Sequence, residues 1–207
     1  MTFEPVVFVV DDDEHACKSV CALVRSLGLR AEAFSSAEDF LASHTRGCPG
    51  CLVTDIRMTG MSGLDLQDRL AEQGLRLPVI VLTAFPRTRS TVRAMKAGAV
   101  TLLEKPYDEE ELWDAIRKAL AQEAASRDEV QRRGEIQERV AALTPAERTV
   151  MNLIVQGKPN KIIAKQLNMS VRTIESRRHE VFTKMGVESV AELVRLAIEG
   201  ELTTETV

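Results

Sequence analysis

Val6-Val7-Phe8-Val9-Val10-Asp11-Asp12-Asp13 decides the fold of the first part of this chain. Its apolar half is short, mostly β-branched and free of polar residues, which is typical of a strand buried on both faces of a parallel sheet. The aspartates follow at the carboxyl end of that strand, where open parallel sheets form their functional crevice.

The same alternation of apolar strand and amphipathic helix continues to about residue 120. Further strands are predicted at residues 29–34, 52–54, 79–82 and 100–103. Ser35 and Glu38 have the spacing of a capping box, which predicts the start of the second helix. The repeated pattern predicts an α/β fold, with a doubly wound, five-stranded parallel sheet covered by helices on both sides.

Ionisable and hydroxyl side chains stand at the ends of these strands. They are Asp11 and Asp12 after the first, Asp55 after the third, Thr83 after the fourth and Lys105 after the fifth. Parallel strands bring them to one edge of the sheet, where clustered carboxylates repel each other and favour a hard cation such as Mg²⁺. A carboxylate beside a metal, a lysine and a hydroxyl can accept a phosphoryl group.

Basic residues are concentrated in the last part of the chain. Residues 158–184 contain seven Lys or Arg, Lys184 among them, and two Glu, although the whole chain has a net charge of −4. Such a basic face is expected of a protein that binds nucleic-acid phosphates, and a solvated helix face is the alternative.

The pattern after Leu143 predicts a helical domain. Thr144-Pro145-Ala146-Glu147 combines a helix cap, a proline in the first turn and a glutamate three residues after the cap. A second helix at residues 160–167 is followed by a turn at 168–170 and by a polar third helix capped by Ser170. Two helices joined in this way are typical of a helix-turn-helix module whose second helix enters the major groove of DNA. The inward-facing residues of the second helix are predicted to be Ile162, Ile163 and Leu167.

A charged stretch joins the two parts. Residues 123–142 are rich in Glu and Arg and contain no proline, which predicts a helical connector. Ile136, Val140 and Leu143 form an apolar seam that packs either on a second copy of the chain or on the following domain. The predicted domains are therefore 1–122, the connector 123–142, and 143–207.

Residues 4–122 resemble the receiver domains of two-component response regulators, which have a flavodoxin-like fold. The resemblance is carried by Val9–Glu14, Val53–Met58, Thr83-Ala84 and Glu104-Lys105-Pro106. It implies that Asp55 is the phosphoacceptor, that Thr83 and Lys105 contact the phosphoryl group, and that the Lys105–Pro106 peptide bond is cis. The Mg²⁺ site that it implies consists of the acidic pair Asp11 and Asp12, Asp55 and the carbonyl of Arg57.

Two positions depart from the family pattern. The family often has proline where Thr59 stands, so we expect a differently shaped loop after Asp55. Many members have Phe or Tyr where Leu102 stands, so the aromatic switch residue is missing here.

Residues 143–200 resemble the LuxR-type four-helix DNA-binding domain. The matching runs are 143–148, 157–164, 170–176 and Lys184-Met185. The resemblance implies that the last helix pairs with its twin in a dimer. The residues implied to read base edges are Glu175, Ser176 and His179, and those implied to bind phosphates are Lys161, Arg172, Thr173 and Arg177.

Both halves together resemble FixJ/NarL-type response regulators. The longest apolar runs, such as residues 6–10 and 79–82, are far shorter than a membrane span, which predicts a cytoplasmic protein. The resemblance implies a transcription regulator, not an enzyme, whose Asp55 is phosphorylated by a sensor histidine kinase. The implied partners are that kinase, double-stranded DNA and a second copy of the chain, with RNA polymerase as a further candidate.

Three other hypotheses stay open. Thr59 and Leu102 are compatible with a receiver that is constitutive or senses a ligand. Cys48 and Cys51 form a C-x-x-C pair that suits a redox or metal sensor, although reduced structural thiols are the simpler interpretation. A phosphatase with an aspartyl-phosphate intermediate usually has an acidic residue two positions after the nucleophile, and here that position is Arg57.

Overall fold

The computed structural model describes residues 4–43 and 48–200, so the last seven residues of the predicted third segment lie outside it. The chain forms two compact units, Met1–Ser126 and Arg127–Val207. The boundary falls inside one long helix, within the stretch predicted as a connector. Among the described residues, no helix is both long enough and apolar enough to span a bilayer.

The first unit alternates strands and helices, as the sequence predicts. Its elements are β1 (Val6–Val10), α1 (Glu14–Ser26), β2 (Arg30–Phe34), α2 (Ala37–Ser43), β3 (Gly50–Asp55), α3 (Gly63–Glu72), β4 (Val79–Thr83), α4 (Thr88–Lys96), β5 (Thr101–Glu104) and the first part of α5 (Glu109–Ala141).

The five strands form one parallel sheet in the order β2-β1-β3-β4-β5. The strand order reverses between β1 and β3, and the crevice of such a sheet lies beyond the carboxyl ends of these two strands. Asp11 directly follows β1, and Asp55 is the last residue of β3. The topology therefore brings the two aspartates to the same point.

Strand β1 is buried on both faces, which confirms the prediction from its composition. Val7 and Val9 lie in the core under α1 and α5, whereas Val6, Phe8 and Val10 lie in the core on the opposite face. Burial of each such side chain stabilises the fold by roughly 1.5–3 kcal/mol. A polar residue at any of these positions has no face on which to reach water.

The start of α2 differs from the prediction. Ser36, rather than Ser35, caps the helix, and its hydroxyl accepts a hydrogen bond from the Asp39 N–H over 3.1 Å. Glu38 turns away from the helix start and accepts a hydrogen bond from the Met61 N–H over 3.0 Å. A tertiary partner has therefore replaced the local capping interaction that the spacing suggests.

The second unit consists of the end of α5 and four further helices. These are α6 (Pro145–Val155), α7 (Asn160–Gln166), α8 (Val171–Met185) and α9 (Val190–Glu199). Ile136, Val140 and Leu143 are buried in the same core as α6 and α8. The apolar seam thus packs on the helices that follow it in the same chain.

The prediction that Ile162 faces inward is wrong. Ile163 and Ala164 are buried, but the Ile162 side chain is 50% exposed. Helix α7 has only seven residues and packs through a narrow stripe, so the apolar residue at the edge of that stripe remains in contact with water.

Glu147 connects the start of α6 to α8. Its Oε2 accepts the Thr144 N–H over 2.7 Å in a capping box, and both of its oxygens contact Lys184 Nζ, at 2.9 and 2.6 Å. Lys184 therefore has a partner inside the unit and is not part of a free basic face. Hydrogen bonds from Lys184 and from the Thr144 N–H lower the pKa of Glu147 to about 2.

This lowered pKa makes stability depend on pH in the acid range. Ionised Glu147 stabilises the folded chain above its unfolded pKa of 4.5, and this contribution is lost as pH falls towards about 2. We expect Glu147→Gln to be less stable than wild type at pH 7, with the difference shrinking between pH 4.5 and 2. Urea unfolding followed by circular dichroism measures it.

Lys184→Met is the matched variant, because it removes the same ion pair from the other side. It should weaken the same pH dependence. Parallel pH profiles for wild type and Glu147→Gln would contradict the assignment.

Candidate functional site

Two carboxylates converge on one ammonium group at the carboxyl edge of the sheet. Lys105 Nζ lies 2.7 Å from Asp11 Oδ2 and 2.8 Å from Asp55 Oδ1. Both aspartates are buried. Burial on its own lowers the pKa of Lys105, but hydrogen bonds to the two carboxylates outweigh it and raise the pKa above its ordinary value. The lysine therefore stays charged and balances the buried negative charge.

The cis Lys105–Pro106 peptide bond confirms the prediction for this segment. Lys105 directly follows β5, and its N–H donates to the Thr83 carbonyl over 2.7 Å. The end of β5 is thereby held beside the end of β4. This places the lysine next to the aspartates of β1 and β3.

The other oxygen of Asp55 is held by the loop that follows β3. The Arg57 N–H donates to Asp55 Oδ2 over 2.5 Å, and the Arg57 guanidinium lies 4.3 Å from the centre of the Phe85 ring. Both oxygens of Asp55 thus have fixed directions. Position 57 holds a guanidinium and not a carboxylic acid, so this residue does not supply the general acid that the phosphatase hypothesis needs.

Thr83 stands at the edge of a small open cavity. Its side chain is buried, and its Oγ1 accepts a hydrogen bond from the Phe85 N–H over 3.2 Å. The cavity measures about 160 Å³. It is lined by Ile56, Arg57, Thr83, Phe85, Arg87 and Ser90. The sequence analysis does not identify Phe85, Arg87 and Ser90 as site residues. The only feature of the sequence that points to them is that they follow the end of a predicted strand at Thr83.

Asp12 points its carboxylate at Thr59. The Thr59 N–H and hydroxyl both donate to Asp12 Oδ2, over 2.7 and 2.8 Å. These hydrogen bonds, the backbone one most strongly, lower the pKa of Asp12 below its ordinary value. Within residues 4–43 and 48–200, no three acidic, histidine or cysteine side chains come close enough together to hold a metal.

The donor set nevertheless suits Mg²⁺. Asp11 and Asp55 already converge on a cation, which is the Lys105 ammonium. Asp12 is adjacent to Asp11 in the chain, and the predicted fourth ligand, the Arg57 carbonyl, belongs to the loop that contacts Asp55. All four donors are hard oxygens, the ligands that Mg²⁺ prefers.

The four cysteines are free thiols. Cys17, Cys21 and Cys51 are buried, and Cys48 is half-buried. Burial raises the pKa of Cys17 to about 11 and that of Cys51 to about 12, and it also raises the pKa of the other two. Protonated thiols are poor nucleophiles and poor metal ligands, which disfavours a redox or metal role for Cys48 and Cys51.

The turn between α7 and α8 depends on two polar residues. Asn168 has a φ of 52°, a left-handed conformation that asparagine tolerates better than most residues. Ser170 then caps α8, and its hydroxyl accepts a hydrogen bond from the Thr173 N–H over 3.0 Å. A tight turn followed by a capped polar helix is the local geometry of a helix-turn-helix.

Most of the predicted DNA contacts lie at the surface of α7 and α8. The exposed ones are Lys161, Arg172, Thr173, Glu175, Ser176 and His179. Arg177 is half-buried, and its guanidinium donates to Met169 Sδ over 3.2 Å. An exposed row of polar and basic side chains on a helix of this length can reach base edges and phosphates. Their individual roles stay predictions.

Arginines hold α8 in place within the second unit. Arg178 donates to Asn160 Oδ1 over 3.1 Å and lies 5.0 Å from the centre of the Phe182 ring, so it joins α7 to α8. Arg139, near the end of α5, donates to the Met185 carbonyl at the end of α8 over 3.0 Å. The hydrogen bonds to Asn160 and to Met185 have no sequence signal, because the partners are 18 and 46 residues apart along the chain.

Comparison with known proteins assigns each half of the chain to a family. The sequence model of the family described as response regulator receiver domain matches residues 7–117. The model described as bacterial regulatory proteins of the luxR family matches residues 141–197.

Several proteins are similar to this chain over more than nine tenths of its length. Response regulator protein TodT of Pseudomonas putida is 40% identical over 92% of this chain and 84% of its own length. Transcriptional regulatory protein FixJ of Azorhizobium caulinodans is 40% identical over 93% of this chain and 91% of its own length. The structure of response regulator StyR matches with a TM-score of 0.86 at 38% identity, covering 95% of this chain and 99% of that one.

Gly63 allows the loop after Asp55 to close. A Cβ atom on Gly63 would lie 2.1 Å from the Asp55 carbonyl oxygen and 2.8 Å from Thr54 Oγ1. We expect Gly63→Ala to destabilise the first unit by about 1–3 kcal/mol, because backbone must move to make room. Urea unfolding followed by the fluorescence of Trp113, the single tryptophan, measures it.

Gly134→Ala is the control, since a Cβ there meets nothing within 4 Å. It should not shift the Trp113 transition to lower urea, because alanine is favoured over glycine inside a helix by roughly 0.5–1 kcal/mol. Equal transitions for Gly63→Ala and wild type would show that the loop does not need this glycine.

Proposed function

This chain belongs to the response regulators that combine a receiver domain with a LuxR-family domain, and we propose that phosphorylation of Asp55 by a sensor histidine kinase controls its dimerisation and sequence-specific DNA binding. The observation that carries the proposal is the setting of Asp55. Its carboxylate is buried at the end of β3, with one oxygen on Lys105 and the other on the Arg57 N–H. Such a carboxylate is positioned to attack a phosphoryl group that enters the crevice.

The neighbouring residues have roles that follow from their charge and position. Lys105 and the Thr83 hydroxyl stabilise the negative oxygens of the transferred phosphoryl group. Asp11, Asp12, Asp55 and the Arg57 carbonyl would hold Mg²⁺, which would supply positive charge for the same oxygens. Under this proposal Asp55 accepts the group on the chain itself, and the chain is not an enzyme acting on another substrate.

The second unit supplies the output. Glu175, Ser176 and His179 read base edges, while Lys161, Arg172, Thr173 and Arg177 bind phosphates and fix the position of α8 on the duplex. A dimer of such units binds two half-sites. We place this activity in the cytoplasm, with RNA polymerase as a candidate partner at the promoter.

Leu102 supports a second candidate, in which the receiver acts without phosphorylation. Leu102 is half-buried and packs on the core of the sheet, where the family often has an aromatic switch residue. DNA affinity that is identical before and after phosphorylation would favour this candidate.

Asp55→Asn tests the phosphorylation site. With acetyl phosphate and Mg²⁺, we expect wild type to gain one phosphoryl group by intact mass and Asp55→Asn to gain none, because the amide is not a nucleophile. Asp68→Asn is the matched control, since it alters an exposed carboxylate on α3 that contacts Arg93, outside the crevice. Equal labelling of wild type and Asp55→Asn would exclude Asp55 as the acceptor.

Arg172 and Glu175 test the two kinds of DNA contact. Arg172→Gln should weaken binding to all sequences and reduce the slope of log affinity against log salt by about 1. Glu175→Gln should change the base preference at one position, by about 1–3 kcal/mol. Selection from a random duplex library and salt titrations measure the two effects.

Lys18→Gln makes the same change of charge in the first unit, on α1, and should alter neither quantity. If Arg172→Gln changed base preference without changing the salt slope, the assignment of Arg172 to phosphates would be wrong.

A further inference from the structure

We propose that Thr59 lowers the affinity of the unphosphorylated protein for Mg²⁺ by holding Asp12 away from the other carboxylates. The inference rests on the metal site proposed above and assigns a regulating residue to it. Thr59 is a positioning residue in this proposal, because it acts only through Asp12.

The hydrogen bonds of Asp12 carry the argument. A carboxylate oxygen has about two lone-pair directions, and Asp12 Oδ2 already accepts two hydrogen bonds from Thr59, at 2.7 and 2.8 Å. To bind a metal through this oxygen, Asp12 must give up both donors. To bind through Oδ1, it must bind in the orientation that Thr59 imposes.

Mg²⁺ is strict about that orientation, because it requires nearly ideal octahedral geometry at about 2.0–2.1 Å. Asp11 and Asp55 converge on Lys105, whereas Asp12 turns to Thr59. This agrees with the finding that no three suitable side chains gather at one point among the residues that the structure describes. Metal binding therefore carries a free-energy cost at Asp12, either for release from Thr59 or for binding in the orientation that Thr59 imposes.

The loop that carries Thr59 is itself held on both sides. The Arg57 N–H binds Asp55, the Met61 N–H binds Glu38, and the Gly63 N–H donates to the Ile56 carbonyl over 3.2 Å. Thr59 therefore cannot simply follow Asp12 towards a metal. A proline at position 59 would have neither the N–H nor the hydroxyl, so this restraint depends on the residue present in this chain.

Direct Mg²⁺ titration of the unphosphorylated full-length chain by calorimetry tests the proposal. We expect Thr59→Val, which loses only the hydroxyl, to bind Mg²⁺ more tightly than wild type by roughly threefold. Thr59→Pro, which loses both donors, should bind roughly tenfold more tightly. Thr59→Ser keeps both donors and should bind like wild type.

Thr149→Val is the matched control, because it removes a threonine hydroxyl that bonds to the Pro145 carbonyl in the second unit. Hydrogen exchange gives an independent signature, since the Thr59 N–H of wild type should exchange faster when Mg²⁺ is added. Thr59→Val remains informative if Thr59→Pro does not fold.

Affinities for Thr59→Val and Thr59→Pro that equal the wild-type value, or are weaker, overturn the proposal. A weaker value would mean that Thr59 prepares Asp12 for the metal. If wild type and all variants fail to bind Mg²⁺, the metal site itself is absent. Binding that is insensitive to Thr59 removes only the role given to this residue.

Discussion

The contact of Lys105 with Asp11 and Asp55 is the interaction around which the first unit is organised. Two buried carboxylates side by side repel each other strongly, and removing either from water is costly unless a cation compensates. The ammonium group meets this need at 2.7 and 2.8 Å. It does so only because three parallel strands end at the same edge, so the sheet and the charged site depend on each other.

Much of this first unit could be predicted from the sequence. The strands are apolar on both faces, which predicts a parallel sheet, and parallel strands bring their carboxyl ends to one edge. Asp11, Asp55 and Lys105 each stand at the end of a predicted strand, so their meeting follows from their positions in the sequence. The Thr59–Asp12 contact could not be predicted, because it joins two exposed polar residues and has no periodic signal. The predicted capping role of Glu38 is wrong for a related reason, because local spacing does not reveal a competing hydrogen-bond partner such as the Met61 N–H.

In the second unit, too, contacts between residues close in the sequence are predictable and contacts between residues far apart in it are not. The capping box of Thr144 and Glu147 and the turn at Asn168 are local, and the sequence predicts the helices around them correctly. Counting charges along the chain could not separate Lys184, which pairs with Glu147, from the exposed Arg172. The prediction for Ile162 is wrong because the spacing of apolar residues shows which face of a helix is apolar, but not how much of that face is covered by other helices.

The last turns of α5 have a consequence for where an independently folding piece begins. Ile136 and Val140 are buried in the core of the second unit, and Arg139 binds the final carbonyl of α8. The family match begins only at residue 141. A fragment cut at that point would uncover an apolar strip and leave the end of α8 without this partner. A fragment that folds by itself and binds DNA must therefore begin before residue 141, where the family match starts. The helix that it needs, α5, also forms part of the first unit.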